Sequence, residues 1–215
     1  MIGERTGQIL EAAVREFIRT GEPISSGVLW SAHDFGIRPA SIRHELHKLT
    51  EHGYLDQPYH SAGRVPSDKG YAFFVERVLH GSYRVPEFAK QCESFFRGAQ
   101  WENLLQELSD ELGVLGVVED ERQGEVYKEG LDDLVERLSW DSPAEIKEVI
   151  RDFEEIDERF GALTALLGEN MINVFVGKRS PITKSKHLSV VAAEYGEGGG
   201  RVVLAAIGPK RMDYQ

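Results

Sequence analysis

Apolar residues recur along this chain with two different periods, and the change from one to the other divides it. From Glu4 to Thr20, the residues Ile9, Leu10, Ala13, Val14, Phe17 and Ile18 fall at helical spacing, and Gly21 follows as a C-terminal stop. Ser25 or Ser26 suits the cap of a second helix that runs through Val28, Leu29 and Ala32 and ends near Gly36. Residues 35–38 read as a turn. Pro39 fits the first turn of a third helix, where its missing N–H costs nothing; Ile42, Leu46 and Leu49 form that helix's buried stripe and Gly53 ends it. Residues 54–58 and 64–66 read as two short extended segments about a turn at Ser61-Ala62-Gly63, with Pro58 tolerable only at an edge or an end. Ser67 or Asp68 caps a fourth helix, whose Tyr71, Phe74, Val75 and Val78 form an apolar face.

Residues 80–86 read as a linker. Residues 88–112 read as amphipathic helix carrying Phe95, Phe96, Trp101, Leu104, Leu105 and Leu108, an aromatic stripe that suits either a core or a dimer seam. The short apolar run 112–119 predicts a buried strand. Residues 129–138 and 143–167 predict helices, the second with Ile146, Val149, Ile150, Phe153, Ile156, Phe160 and Leu163 as its stripe. Three Val- and Ala-rich stretches, 172–177, 188–195 and 202–207, predict strands, the last two joined by a hairpin-type turn at 196–200. The expected fold class is α+β: a helical N-terminal domain over residues 1–80, a linker and amphipathic helix over 81–112, and a mixed helix/sheet domain over 113–215.

Composition narrows the function classes. The hydrophobic share of 41% and charged share of 28% fit a globular protein and argue against a disordered chain. A single cysteine, Cys92, excludes an internal disulfide framework and agrees with a reducing cytoplasm. The first residues, MIGERTGQIL, carry charge where a signal peptide needs an apolar run, and no apolar run approaches the roughly 20 residues of a membrane span. The expected location is cytoplasmic, with no membrane partner. The net charge of -11 speaks against nucleic acid until its distribution is read. Residues 1–80 hold nine Lys/Arg against ten Asp/Glu and six of the seven histidines, whereas residues 101–160 hold six against twenty. Acidity therefore sits in a central block, most simply as solvated helix faces, and a basic face near the N-terminus survives.

That face carries the candidate chemistry. Two helices joined by a glycine-containing turn, then a short hairpin, have the layout of a helix-turn-helix followed by a wing, which reads duplex DNA. Arg38, Ser41, Arg43, His44, His47 and Lys48 fall largely off the buried stripe of the third helix, and His60, Ser61 and Arg64 belong to the hairpin. Arg43 and His44 suit base edges, an Arg–guanine pair giving about 1–3 kcal/mol of discrimination. The competing reading pairs Arg43 with an acid such as Glu45, or with phosphate alone. Lys48 and Arg64 read as phosphate anchors, Arg64 at the tip also being able to enter a minor groove. His44 and His47, at i and i+3, invite a metal, but no cysteine lies near and Glu45 and Glu51 stand at poor offsets. Protonated imidazoles on this face would instead strengthen DNA affinity. No G-x-S-x-G, P-loop or other catalytic constellation is present, so no enzyme, metal or cofactor is expected. Gly208-Pro209-Lys210-Arg211 is a basic turn, suited equally to an anion or partner and to fixing the end of the last strand.

Motifs at both ends resemble one family. The run 39–45 (PASIRHE), then 53–58 (GYLDQP), 61–67 (SAGRVPS) and Gly70-Tyr71 resemble the winged-helix domain of HrcA-type heat-inducible transcription repressors. Val176-Gly177, residues 188–191, Tyr195 and above all 208–214 (GPKRMDY) are similar to that family's C-terminal end, as is 126–131 (VYKEGL). The resemblance implies a winged helix-turn-helix followed by a GAF-like domain. It implies a homodimer that represses chaperone genes by binding an inverted-repeat operator, with help from a GroE-type chaperonin. The family commonly carries a dimerising insertion, for which the interval 98–125 is too short, and commonly continues as a helix beyond Tyr214. His44 and Tyr59-His60 stand where the family pattern has Asn and His-Thr. The other reading is a ligand- or chaperone-sensing adaptor that uses the winged helix for protein contacts.

Overall fold

The computed structural model describes residues 2–59, 61–79, 85–138, 143–168, 171–197, 200–212 and 214. Their packing separates two units, Met1–Gly81 with Arg211–Gln215, and Ser82–Lys210.

The first unit starts with α1 (Glu4–Thr20), which buries Ile9, Leu10, Ala13 and Val14. It stops at Gly21, whose φ of 72° is left-handed and whose N–H donates to the Phe17 carbonyl. Helix α2 (Ser26–Ala32) is capped by Ser25, whose hydroxyl accepts the Val28 N–H. It ends several residues before Gly36. His33 is already extended, and the Asp34 carboxylate takes the Gly36 N–H at 2.9 Å, a local bond that competes with helix. Helix α3 (Pro39–Glu51) has Pro39 in its first turn and buries Ile42, Leu46 and Leu49. The hairpin is shorter than the sequence suggests: β1 (Leu55–Asp56) pairs antiparallel with β2 (Val65–Pro66). Pro58 and Pro66 supply no N–H to extend that ladder. Arg64 instead bridges to Ile24, each N–H reaching the other's carbonyl at 2.8 Å. Helix α4 (Asp68–Leu79) is capped by Ser67, which accepts the Gly70 N–H and donates to the Gly53 carbonyl at 2.7 Å. It buries Tyr71, Phe74, Val75 and Val78. The edge of the Tyr214 ring meets Phe74 with centroids 6.4 Å apart, so the tail belongs to this unit. Burial beside Tyr214 pushes the Tyr71 phenol well above its ordinary pKa.

The second unit is a five-stranded antiparallel sheet covered by helices on both faces. Its strands are β3 (Leu115–Asp120), β4 (Glu125–Glu129), β5 (Ile172–Val176), β6 (Leu188–Glu197) and β7 (Gly200–Pro209), in the order β4-β3-β7-β6-β5. Side chains alternate between faces with period two. Val118 and Val202 meet Trp101, Leu104 and Leu105 on one face. Val117, Val203, Ala205, Val190 and Ala192 meet Leu134, Val149, Ile156, Phe160 and Leu163 on the other. Each such large side chain contributes about 1.5–3 kcal/mol on burial. Two-sided burial is why β6 and β7 read as nearly unbroken apolar runs.

The expected single helix over 88–112 is two, α5 (Phe88–Arg97) and α6 (Trp101–Leu112). Gly98 ends the first, Ala99 takes a left-handed φ of 51°, and the Gln100 N–H donates to the Phe95 carbonyl. The break lets the half-buried Phe95 and Phe96 pack against the buried Trp101, Leu104 and Leu105: Phe96 lies 5.4 Å from Trp101 and 5.0 Å from Tyr195, both edge-on. Strand β4, with three charged residues among its five, reads poorly as a strand and lies at the sheet edge, where charge is tolerated. Helix α7 (Leu131–Arg137) and the long α8 (Pro143–Thr164) complete the unit.

Two buried carboxylates fasten its loops. Asp120, at the end of β3, accepts the Trp101 indole N–H at 3.0 Å, the Arg122 N–H at 3.0 Å and the Arg122 guanidinium at 2.9 Å. The Arg122 guanidinium first, aided by these other donors, holds the Asp120 carboxyl below the usual aspartate range. Asp152 on α8 accepts the backbone N–H groups of Lys184 and Ser185 at 2.9 and 3.0 Å and the Arg159 guanidinium at 2.7 Å. Among the described residues no helix is long and apolar enough to cross a membrane.

A depressed carboxyl contributes stability that is complete above its unfolded pKa and is lost as pH falls through the folded one. The urea midpoint of the second unit is therefore expected to hold near neutrality and to drop below the ordinary aspartate value of 3.8. Asp120→Asn is expected to lower the midpoint at pH 7 and to flatten that acid decline.

Candidate nucleic-acid interface

The outward face of α3 is set by its inward one. With Ile42, Leu46 and Leu49 buried, helical geometry turns Ala40, His44, His47 and Glu51 directly outward. Ser41 and Lys48 flank that line on one side and Arg43 on the other. Arg38, Ser41, Arg43, His44 and His47 are exposed, and Lys48 is half-exposed. Arg38 is the residue before Pro39, so it stands at the helix N-terminus, where the first N–H groups point outward.

Partners separate these cations. Lys48 donates to Glu45 at 3.0 Å, and His47 lies 3.6 Å from Glu51. Among the described residues Arg38 and Arg43 form no ion pair, so the pairing of Arg43 with Glu45 weighed above is absent. Glu45 instead accepts the Thr6 hydroxyl of α1 at 2.7 Å. That bond first, and Lys48 after it, holds the Glu45 carboxyl below its usual range. A concavity of about 430 Å³ opens beside it, lined by Arg5, Ile37, Ala40, Ser41, His44 and Glu45. Arg5 is a cation that sequence reasoning passed over. Its signal was its place off the apolar stripe of α1, one residue from the threonine that ties α1 to α3.

The hairpin residues are arranged differently from α3. Ser61 is exposed, and His60 lies outside the described residues. Arg64 stands immediately before β2, in the bridge to Ile24, rather than at the tip. Its Nε donates to the Thr50 hydroxyl at 2.9 Å and its Nη1 to the Ala62 carbonyl at 3.3 Å, tying the hairpin to the last turn of α3. Gly63 lies against the Pro23-Ile24 backbone so closely that an added Cβ would come within 2.6 Å of the Pro23 carbonyl. Among the described residues no group of three or more His, Cys, Asp or Glu side chains is placed to hold a metal ion.

Residues 81–215 match the family model described as HrcA protein C terminal domain. Curated relatives include a heat-inducible transcription repressor HrcA of Bifidobacterium animalis, 46% identical over 94 residues, covering 44% of this chain and 25% of that protein. The repressor of the same name from Carboxydothermus hydrogenoformans is 39% identical over 118 residues, covering 55% of this chain and 33% of that protein. The chain thus spans a quarter to a third of the length of these relatives. A crystal structure described as that of a hypothetical protein has the same fold, with a TM-score of 0.76 at 20% identity over 100% of this chain and 93% of that one.

Gly63→Ala is expected to destabilise the first unit by about 1–3 kcal/mol, the usual range for forcing a methyl into close packing. Thermal unfolding of the variant, followed by amide exchange at Ile24 and Arg64, checks this.

Proposed function

Because the chain belongs to the HrcA family, its residues 81–215 matching that family's C-terminal domain model, we propose that it is a sequence-specific DNA-binding repressor of heat-shock (chaperone) genes. In this reading residues 1–80 are a winged helix-turn-helix domain, 81–112 connect it, and 113–215 are a GAF-like regulatory and dimerisation domain. The protein acts as a cytoplasmic homodimer on an inverted-repeat operator, with a GroE-type chaperonin as a regulatory partner, and performs no catalysis of its own.

The observation that carries the reading is the outward face of α3, where Arg38 and Arg43 stand exposed and without a described acidic partner beside Ser41, His44 and His47. In a helix-turn-helix such a helix enters the major groove, its first residues reaching base edges. Arg43 and His44 read bases; Arg38, Lys48, Ser41 and Arg5 grip phosphate; Ser61 and His60 extend the contact from the wing. Arg64 contributes by bracing the wing against Thr50 as well as by its charge. One copy brings few cations to the backbone, so an overall charge of -11 makes doubling by a dimer necessary for affinity at cellular salt. The second reading, a sensing adaptor with no duplex partner, draws on the same family membership.

Genomic fragments retained by the protein, sequenced after capture at two temperatures, test the proposal. A palindrome upstream of chaperone genes, retained less on warming, is the expected result; no specific duplex retention favours the adaptor. In gel-shift titrations Arg43→Ala is expected to weaken operator binding by about 1–3 kcal/mol while circular dichroism stays unchanged. Arg38→Ala is expected to reduce the salt slope by about one.

A further inference from the structure

The second unit carries a basic groove that the DNA-binding reading leaves unexplained. Its volume is about 640 Å³, and Lys147, Arg151, Lys178, Lys184 and Lys186 line it together with Ala144, Glu145 and Glu148. The cations come from three separate stretches: the first turns of α8, the 3-10 turn at Gly177–Arg179, and the loop before β6. Lys147 and Arg151 stand at i and i+4, on one side of the helix.

The base of the groove is rigid. Asp152, the residue after Arg151 on α8, takes the N–H of Lys184 on both carboxylate oxygens at 2.9 Å and that of Ser185 at 3.0 Å. Arg159 donates to Asp152 and to the Ile182 carbonyl at 3.1 Å, and the Lys210 N–H fastens the His187 carbonyl at 2.9 Å. Ser185 is buried, so its neighbours Lys184 and Lys186 are both turned outward. The backbone that presents two of the lysines is thus set in advance, and a ligand need not order it.

The charges are only partly neutralised. Glu145 faces His187 at 3.2 Å, and Lys184 shares Glu155 at 3.3 Å. Lys147, Arg151, Lys178 and Lys186 form no ion pair among the described residues. Five cations against two carboxylates form an island in a chain whose residues 101–160 hold twenty acidic groups against six basic ones. Their mutual repulsion is relieved by an anion that spans them. The lining includes no aromatic ring and no large apolar side chain, so a nucleobase or lipid tail finds nothing to stack on.

We infer that this groove binds a compact polyphosphate, taken by its phosphate oxygens and supplied either as a free chain or as the tail of a nucleoside triphosphate. The volume accommodates three linked phosphates with their bridging waters, and lysine ammonium groups serve as point charges for them.

Calorimetric titration of the full chain with inorganic tripolyphosphate, and separately with ATP, tests the inference. The expected result is saturable binding at one site per chain that weakens in high salt, and about a tenfold loss or more in the double variant K178Q/K186Q. Both lysines are exposed, so that variant keeps its fold. Equal affinity for the two ligands identifies the phosphate chain alone as the recognised group; tighter binding of ATP identifies the nucleotide as the source. Operator retention by K178Q/K186Q without polyphosphate is expected to match the parent, which keeps this test separate from that of the DNA-binding face. Absence of saturable binding, unchanged affinity in the double variant, or displacement of tripolyphosphate from the groove by duplex DNA would overturn it.

Discussion

Helix α3 can rotate about its own axis only as far as Ile42, Leu46 and Leu49 allow. Those three side chains are buried, and everything on the opposite side of the helix follows from where they point. Rotation alone does not hold a helix in depth, however. Two polar bonds do that: the Thr6 hydroxyl reaches Glu45 near the start of α3, and the Arg64 guanidinium reaches Thr50 near its end. The hairpin is in turn fixed to the α1–α2 connection by the Ile24–Arg64 bridge, which requires Gly63 to have no side chain. These bonds fix the depth at which the outward face of α3 is presented.

Charge is handled in two ways in this molecule. Some charged groups are buried and saturated with hydrogen bonds, as Asp120 and Asp152 are, and their role is to fix loops that have little apolar surface of their own. Others stand exposed without an acidic partner among the described residues, as Arg38 and Arg43 do on α3, Lys147 on α8 and Lys178 in the 3-10 turn after β5. Surface pairs such as Lys90 with Glu87, or Arg97 with Glu93, fall between these extremes and matter little energetically. In a chain of net charge -11, cations without an acidic partner among the described residues stand out on these two faces.

Where local chemistry decides structure, the sequence was readable. Gly21 ended α1, Pro39 opened α3, Ser67 capped α4, and the apolar runs of β6 and β7 paired as expected. The misses share a cause, which is that tertiary partners decided them. Helical periodicity persists across residues 88–112 because both α5 and α6 press on the same sheet face, so the break at Ala99 is invisible in the pattern. Strand β4 lacks an apolar run because an edge strand need not have one. Arg64 looked like a tip residue because nothing local announces a bond to Thr50, and Asp152 looked like one more acid in an acidic block. Arg5 escaped notice for the same reason, since only the packing of α1 on α3 brings it beside Ser41 and His44.

The tail contact also has a meaning in time. Tyr214 meets Phe74 edge-on, and Arg211 lies over Gly21, so the first unit is closed by residues made after the whole of the second. During synthesis α1 to α4 emerge early, yet their contacts to Arg211 and Tyr214 form only when those residues leave the ribosome. An N-terminal unit assembled in this way ripens last, and a half-made chain carries α3 without that final closure.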